Sequence, residues 1–226
     1  MLAELAKGYA IYRGLDFVRQ GLAGVVEETG RFELANLKFS KLIGNADLAR
    51  QTLAQLQVFG AQTPYEFKQL QELSIQLIAA NIKAEELVHT LRMIGDLGLG
   101  DPEKVSQMVY AYAKAANLGK VTWRTLSMFT TAGVPIISAL MDKFGKTQIQ
   151  MESFVRSGQV KFKDLKEVLF ALGNSPKYKD MMMDAMSTLP ALISNTRDVT
   201  GILQREFGET IKEQLKSLVL QYTLFK

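Results

Sequence analysis

Residues Leu118-Gly119-Lys120-Val121-Thr122-Trp123-Arg124-Thr125-Leu126 are echoed further along the chain by Ser157-Gly158-Gln159-Val160-Lys161-Phe162-Lys163-Asp164-Leu165. Each stretch reads as a helix end, a glycine turn, a short extended segment at the valine, and a new helix. The same grammar continues outward from this repeat. Asp101-Pro102 opens a helix whose Val105, Met108, Val109 and Tyr112 face inward, and before it Leu87, Val88, Leu91 and Ile94 form a stripe ending in Gly95, Gly98 and Gly100. Thr122 caps a helix that stops at Gly133, Pro135 begins one that closes at Gly145, and Thr147 with Gln150 forms a capping box for a helix that Gly158 ends. Thr63-Pro64-Tyr65-Glu66 reads as another capping box, which predicts a helix from Pro64 to near Asn81 with Phe67, Leu70, Leu73 and Leu77 on its apolar face. Ser175-Pro176 opens a further helix, and from about Leu189 one long helical pattern runs on, with Gly201 and Gly208 as soft spots.

The repeat resembles the helix-loop-helix spacing of an EF-hand, in which twin residues after the turn pair in a short β bridge. The calcium chemistry is absent. Counting back from Gly119, the ligand positions hold Lys114, Ala116 and Leu118; counting back from Gly158, they hold Ser153, Val155 and Ser157. Hard oxygen ligands are missing at those positions, so the geometry is expected without a metal. The fold class is all-α: a multi-helix compact domain with two EF-hand-like helix-turn-helix repeats lacking metal ligands, plus an N-terminal helical arm and a long C-terminal helix. The expected division is an arm over residues 1–60, a compact core over 61–188 and the C-terminal helix over 189–226. Gly8, Gly14, Gly21 and Gly24 stud the first helical pattern, and small residues of this kind let another helix approach closely, within the chain or from a neighbour.

Composition removes most site classes. The chain of 226 residues contains no cysteine, which excludes disulfides, thiolate metal sites and cysteine nucleophiles. The lone histidine, His89, leaves no His-rich zinc constellation and no evident relay partner, so it reads as a surface or boundary residue over a catalytic one. Lys and Arg total 27 against 23 Asp and Glu, a mild excess spread along the chain. No apolar run reaches the roughly 20 residues of a membrane span, and no signal peptide is read at the N-terminus. Gly95-Asp96-Leu97-Gly98-Leu99-Gly100 lacks the strand and the Lys-Ser/Thr of a phosphate loop and reads as a helix end and turn. No catalytic, cofactor or metal residue is assigned, and a cell-wall hydrolase is disfavoured because no paired-carboxylate motif is visible.

The candidates that remain concern partners. Trp123 and Phe162 hold equivalent positions in the repeat and are expected to pack together under the turns, with a groove for a partner helix as the alternative. Met181, Met182 and Met183 are either core or an adaptable partner-binding surface, since unbranched thioethers repack readily. Arg156, Lys161, Lys163 and Lys166, with Lys177 and Lys179 beyond, form the best basic patch. They lack interleaved aromatics, which favours a solvated face over a nucleic-acid site.

Taken in order, Thr63-Pro64-Tyr65-Glu66-Phe67, Leu91-Arg92-Met93-Ile94-Gly95-Asp96, Leu118-Gly119-Lys120 and Ala132-Gly133-Val134-Pro135-Ile136 resemble the conserved N-terminal region of phage tail tape measure proteins. Ser157-Gly158-Gln159-Val160 with Phe162, the three methionines, and Leu192-Ile193-Ser194-Asn195 with Asp198 continue the likeness, over roughly residues 30 to 210. The resemblance implies a non-enzymatic scaffold in a phage or prophage tail, whose length sets tail length. It implies no cofactor and no specific nucleic acid. The partners it implies are tail tube and tail tip proteins, tail assembly chaperones and other copies of the chain. The location it implies is the host cytoplasm during assembly and then the lumen of the virion tail. A fully helical chain of this size would span only roughly 340 Å, so the measuring helices are expected beyond Lys226. The glycine-rich apolar start keeps a second role open, as a module that contacts membrane transiently or takes part in DNA ejection.

Overall fold

The structure, a computed structural model, describes residues 24–188, 200–204 and 206–210. Contacts divide the chain into two units, Lys38–Thr196 and a second made of Met1–Leu37 with Arg197–Lys226. Among the described residues there is no strand beyond one isolated bridge, and the fold is all-helical.

Helix α1 spans 24–43, and its last turns belong to the larger unit, where Phe39 is fully buried. Asn45 then caps α2 (Ala46–Gly60) by accepting from the amides of Asp47 and Leu48 at 3.0 Å each. Helix α2 lays Leu53, Leu56 and Phe59 into the core and packs on α3, so it stands with the residues after it. The two units divide between Leu37 and Lys38, and residues 1–23 of the expected arm lie outside the described residues.

Helix α3 (Phe67–Ala79) begins three residues later than the expected Pro64. The capping box at Thr63 does not form. Tyr65 is buried and directs its hydroxyl to the carbonyl of Gly95 at 3.4 Å, and Glu66 is extended, so a long-range contact overrides the local signal. The far end matches the reading. Asn81 adopts a positive φ of 61°, with Ile82 N donating to Leu77 O and Asn81 N to Ile78 O, which is a Schellman stop.

A single 3-10 turn (Ala84–Glu86) leads into α4 (Leu87–Leu97), which continues through Gly95 to end at Gly98. Helix α5 (Pro102–Leu118) is capped by Asp101, whose Oδ1 accepts from Glu103 N at 3.0 Å and Lys104 N at 3.3 Å. Replacing Asp101 with alanine is expected to cost about 1 kcal/mol of stability, measured as a shift in the urea midpoint. Then follow α6 (Trp123–Thr131), α7 (Ile136–Phe144), α8 (Gln148–Arg156) and α9 (Phe162–Gly173). Thr122 with Thr125 and Thr147 with Gln150 both form reciprocal capping boxes.

The helices pack on neighbours in sequence, α2 on α3, α4 on α5, α5 on α6 and α6 on α7, and also across an intervening helix, α3 on α5. Helix α9 returns to close the core against α4 and α7. At that closure Lys143 of α7 binds Asp164 at 3.0 Å and Glu167 at 2.5 Å on α9.

After α9 the chain departs from expectation. Ser175-Pro176 starts turns and no helix there, because the Ser175 hydroxyl donates back to Leu172 O at 2.6 Å and Tyr178 is buried. Helix α10 (Met181–Ala185) begins only after Asp180, which sits in the left-handed region at φ 63°.

In the smaller unit the described residues are the first part of α1 and the helical stretches 200–204 and 206–210. Gly208 is buried against Val25 and Thr29, where a Cβ would collide with the Thr29 hydroxyl. Gly208, read from sequence as a soft spot, is thus a point of close helix approach, while Gly8, Gly14 and Gly21 of the small-residue pattern lie outside the described residues. The rest of the expected C-terminal helix, 189–199 and 211–226, lies outside the described residues.

Candidate functional site

The two copies of the repeat meet. Gly119 and Gly158 take positive φ of 65° and 72°, conformations that reverse the chain after α5 and α8. The extended residues that follow then pair antiparallel: Val121 N donates to Val160 O at 2.9 Å, and Phe162 N to Gly119 O at 3.1 Å. The bridge centres on Lys120 and Lys161. Side chains alternate faces in such a pairing, so Val121 and Val160 turn into the core while both lysines stand outside. Two helices start from this joint. Thr122 caps α6, and Asp164 accepts from Lys161 N at 2.9 Å at the head of α9.

Trp123 and Phe162 are each the first residue of a helix leaving the joint, and both are half-buried against the core. The Phe162 ring meets that of Tyr112 of α5, edge-on at 4.9 Å and 73°.

The second cluster lies on α4. Gly95 leaves a notch into which Met182 packs; a Cβ at Gly95 would lie 2.1 Å from the Met182 sulfur. Beside it the buried carboxylate of Asp96 accepts from Met182 N at 2.9 Å. Burial raises the Asp96 pKa above its ordinary value; the Met182 amide opposes this, nearby Asp180 adds to it and Arg92 offsets part. The three methionines therefore divide. Met182 is core, Met183 is 57% exposed and Met181 is intermediate, so an exposed methionine surface excludes Met182. The Gly95-Asp96 seat was not singled out by the sequence reading, which took Gly95 for a helix end. The signal was present in the apolar period of Leu87, Leu91 and Ile94, which continues to Leu97.

Two depressions flank His89. One, of about 410 Å³, lies among α4, α5 and α9 with Met93, Tyr112 and Phe170 in its walls. The other, of about 700 Å³, runs between α2 and α4 past Gln55, Val58 and Arg92. His89 is exposed and its ring tilts against Phe170 at 5.2 Å. Burial pushes the Tyr112 hydroxyl up to about 12, which keeps it neutral. The depression among α4, α5 and α9 is mainly apolar in its walls, whereas the one between α2 and α4 is open and lined largely by polar side chains.

Three of the six residues of the basic patch are paired with carboxylates where they stand. Arg156 binds Glu152 at 2.6 Å, Lys166 binds Glu86 at 2.6 Å and Lys163 lies 3.8 Å from Glu167. Lys161 is different, since its ammonium donates to the Gly158 carbonyl at 2.9 Å. Among the described residues no group of three His, Asp or Glu side chains is placed to hold a metal ion, and no helix is long and apolar enough to cross a membrane.

No curated protein and no solved structure matches the chain. The sequence profile of the family described as "Tape measure protein" does match it, over residues 24–209. That span takes in every described helix of the larger unit, including the paired turns and the Asp96 seat. The chain belongs to the tape measure protein family, structural components of phage tails.

Proposed function

We propose that this chain is a folded scaffold region of a tail tape measure protein, which sets tail length during assembly. It does so by contacting tail tube and tail tip proteins, assembly chaperones and other copies of itself, first in the host cytoplasm and then in the tail lumen. The observation that carries the reading is the family match across 24–209. A core of short, firmly capped helices suits the role, because it presents a fixed surface to partners. The Val121–Val160 hydrogen bond supports reading the two turns as a metal-free, EF-hand-like joint within that core. Trp123, Phe162, Met181 and Met183 remain the partner-facing candidates around it.

The test is deletion of residues 38–196 from the tape measure gene of the phage that carries them, with tails counted and measured by electron microscopy. Loss of tails, or tails of irregular length, is the expected result. Tails of normal number and length would overturn the proposal.

A second reading, transient membrane contact or DNA ejection, draws on the exposed Val26, Leu34 and Leu37 of α1. Liposome flotation of the full chain tests it, and a chain that stays with the soluble fraction would remove it.

A further inference from the structure

At the paired turns two like charges face each other. Lys120 and Lys161 are directly opposite in the bridge, both are exposed, and the stem and ammonium of Lys120 pass over Gly158, to whose carbonyl Lys161 donates. Like charges opposite one another across a bridge are unfavourable, and an acidic residue at either position would relieve the repulsion. Arg124, exposed on the first turn of α6, adds a third cation. Among the described residues no carboxylate lies within ion-pair distance of Lys120, Lys161 or Arg124. The nearby acids are committed elsewhere: Asp164 to Lys143 and the Lys161 amide, Glu167 to Lys143 and Lys163, Glu152 to Arg156. Leu118, 48% exposed, stands on the same turn.

We propose that the Lys120–Lys161 pair with Arg124 and Leu118 is a docking point for an acidic, partly apolar segment of a partner protein. The inference rests on the scaffold reading, which calls for partners, and specifies the chemistry of one of them. Carboxylates placed over the turn satisfy both ammonium groups and remove the repulsion that the free chain carries, so binding gains from a cost already present. The charge is compact. Lys163, Lys166 and Arg156, which could have extended it into a stripe along a phosphate backbone, are held by Glu167, Glu86 and Glu152. That favours a protein segment over a nucleic acid.

The test titrates the full chain with a fluorescently labelled amphipathic helical peptide carrying glutamates beside leucines, with a single-stranded oligonucleotide as competitor. Lys120→Glu is expected to weaken peptide binding by about tenfold or more. The same substitution is expected to raise the melting temperature, since it turns a repulsive pair into an attractive one. Lys68→Glu on the exposed side of α3 makes the same charge change elsewhere and is expected to leave binding unaltered. The proposal is overturned if the unsubstituted chain does not bind the peptide, if Lys120→Glu binds it as well as the parent, or if the oligonucleotide displaces it at lower concentration than unlabelled peptide does. Normal tail assembly after deletion of 38–196 would instead remove the scaffold reading and leave the in vitro binding result standing, so the two failures are distinct.

Discussion

Tyr112→Ala is expected to lower the unfolding free energy by about 3–5 kcal/mol, the largest loss for any single change considered. Tyr112 is completely buried on α5, its ring meets Phe162 at 4.9 Å, and it forms a wall of the cavity beside α4 and α9. Truncation removes the edge-on ring contact and merges the lost volume with that cavity, so the site has little capacity to collapse. Tyr112→Phe keeps the ring and is expected to change stability by no more than about 1 kcal/mol. Urea denaturation of the two variants reads the difference. Equal destabilisation by both would show that the hydroxyl, and not the ring, is what matters there.

The second large effect concerns Asp96. Asp96→Leu leaves the Met182 amide buried without an acceptor, an expected cost of about 1–3 kcal/mol. The loss falls on one segment. Amide exchange through 174–188 is expected to accelerate while the amides of α5 and α6 stay protected, and uniform acceleration would refute a local seat. The pH dependence follows from the direction of the shift. Because the native pKa of Asp96 is raised above 3.8, the folded chain holds the proton more tightly than the unfolded chain does. Its contribution to stability is therefore fully present below the ordinary carboxyl range and declines as pH rises through the raised native value. Asp96→Asn retains an oxygen to accept from Met182 and removes the titration. Its stability relative to the parent is expected to improve on going from acid to neutral pH, and a pH-independent difference would contradict the assignment.

What the sequence made legible was what neighbouring residues decide. Asp101, Thr122 and Thr147 cap the helices they were expected to cap, and Asn81, Gly119 and Gly158 reverse the chain where their tolerance of positive φ suggested. What was missed depends on distant partners. Thr63 loses its capping box because Tyr65 reaches Gly95, thirty residues away. Ser175-Pro176 does not open a helix because the chain is drawn down by buried Tyr178 and then seated on Asp96. The basic patch looked continuous in sequence, yet Lys166 is paired with Glu86, eighty residues earlier. The methionine run illustrates the same limit, since consecutive residues on a helix turn point in different directions and only Met182 meets the Gly95 notch.

The nearest-neighbour packing of the helices has a kinetic consequence. A chain in which α2 finds α3, α4 finds α5 and α5 finds α6 gains many of its contacts across short loops, which favours rapid folding. Such pairs can settle one after another as they leave the ribosome. The contact of α3 with α5 can also form early, whereas α9 must emerge before α4 and α7 acquire their shared neighbour and before the bridge at Lys120 can close. Until then the faces of α4 and α7 that α9 covers are open to solvent, and the chain stays sticky until synthesis has passed Gly173 and then Ala185, when Met182 can seat on Gly95.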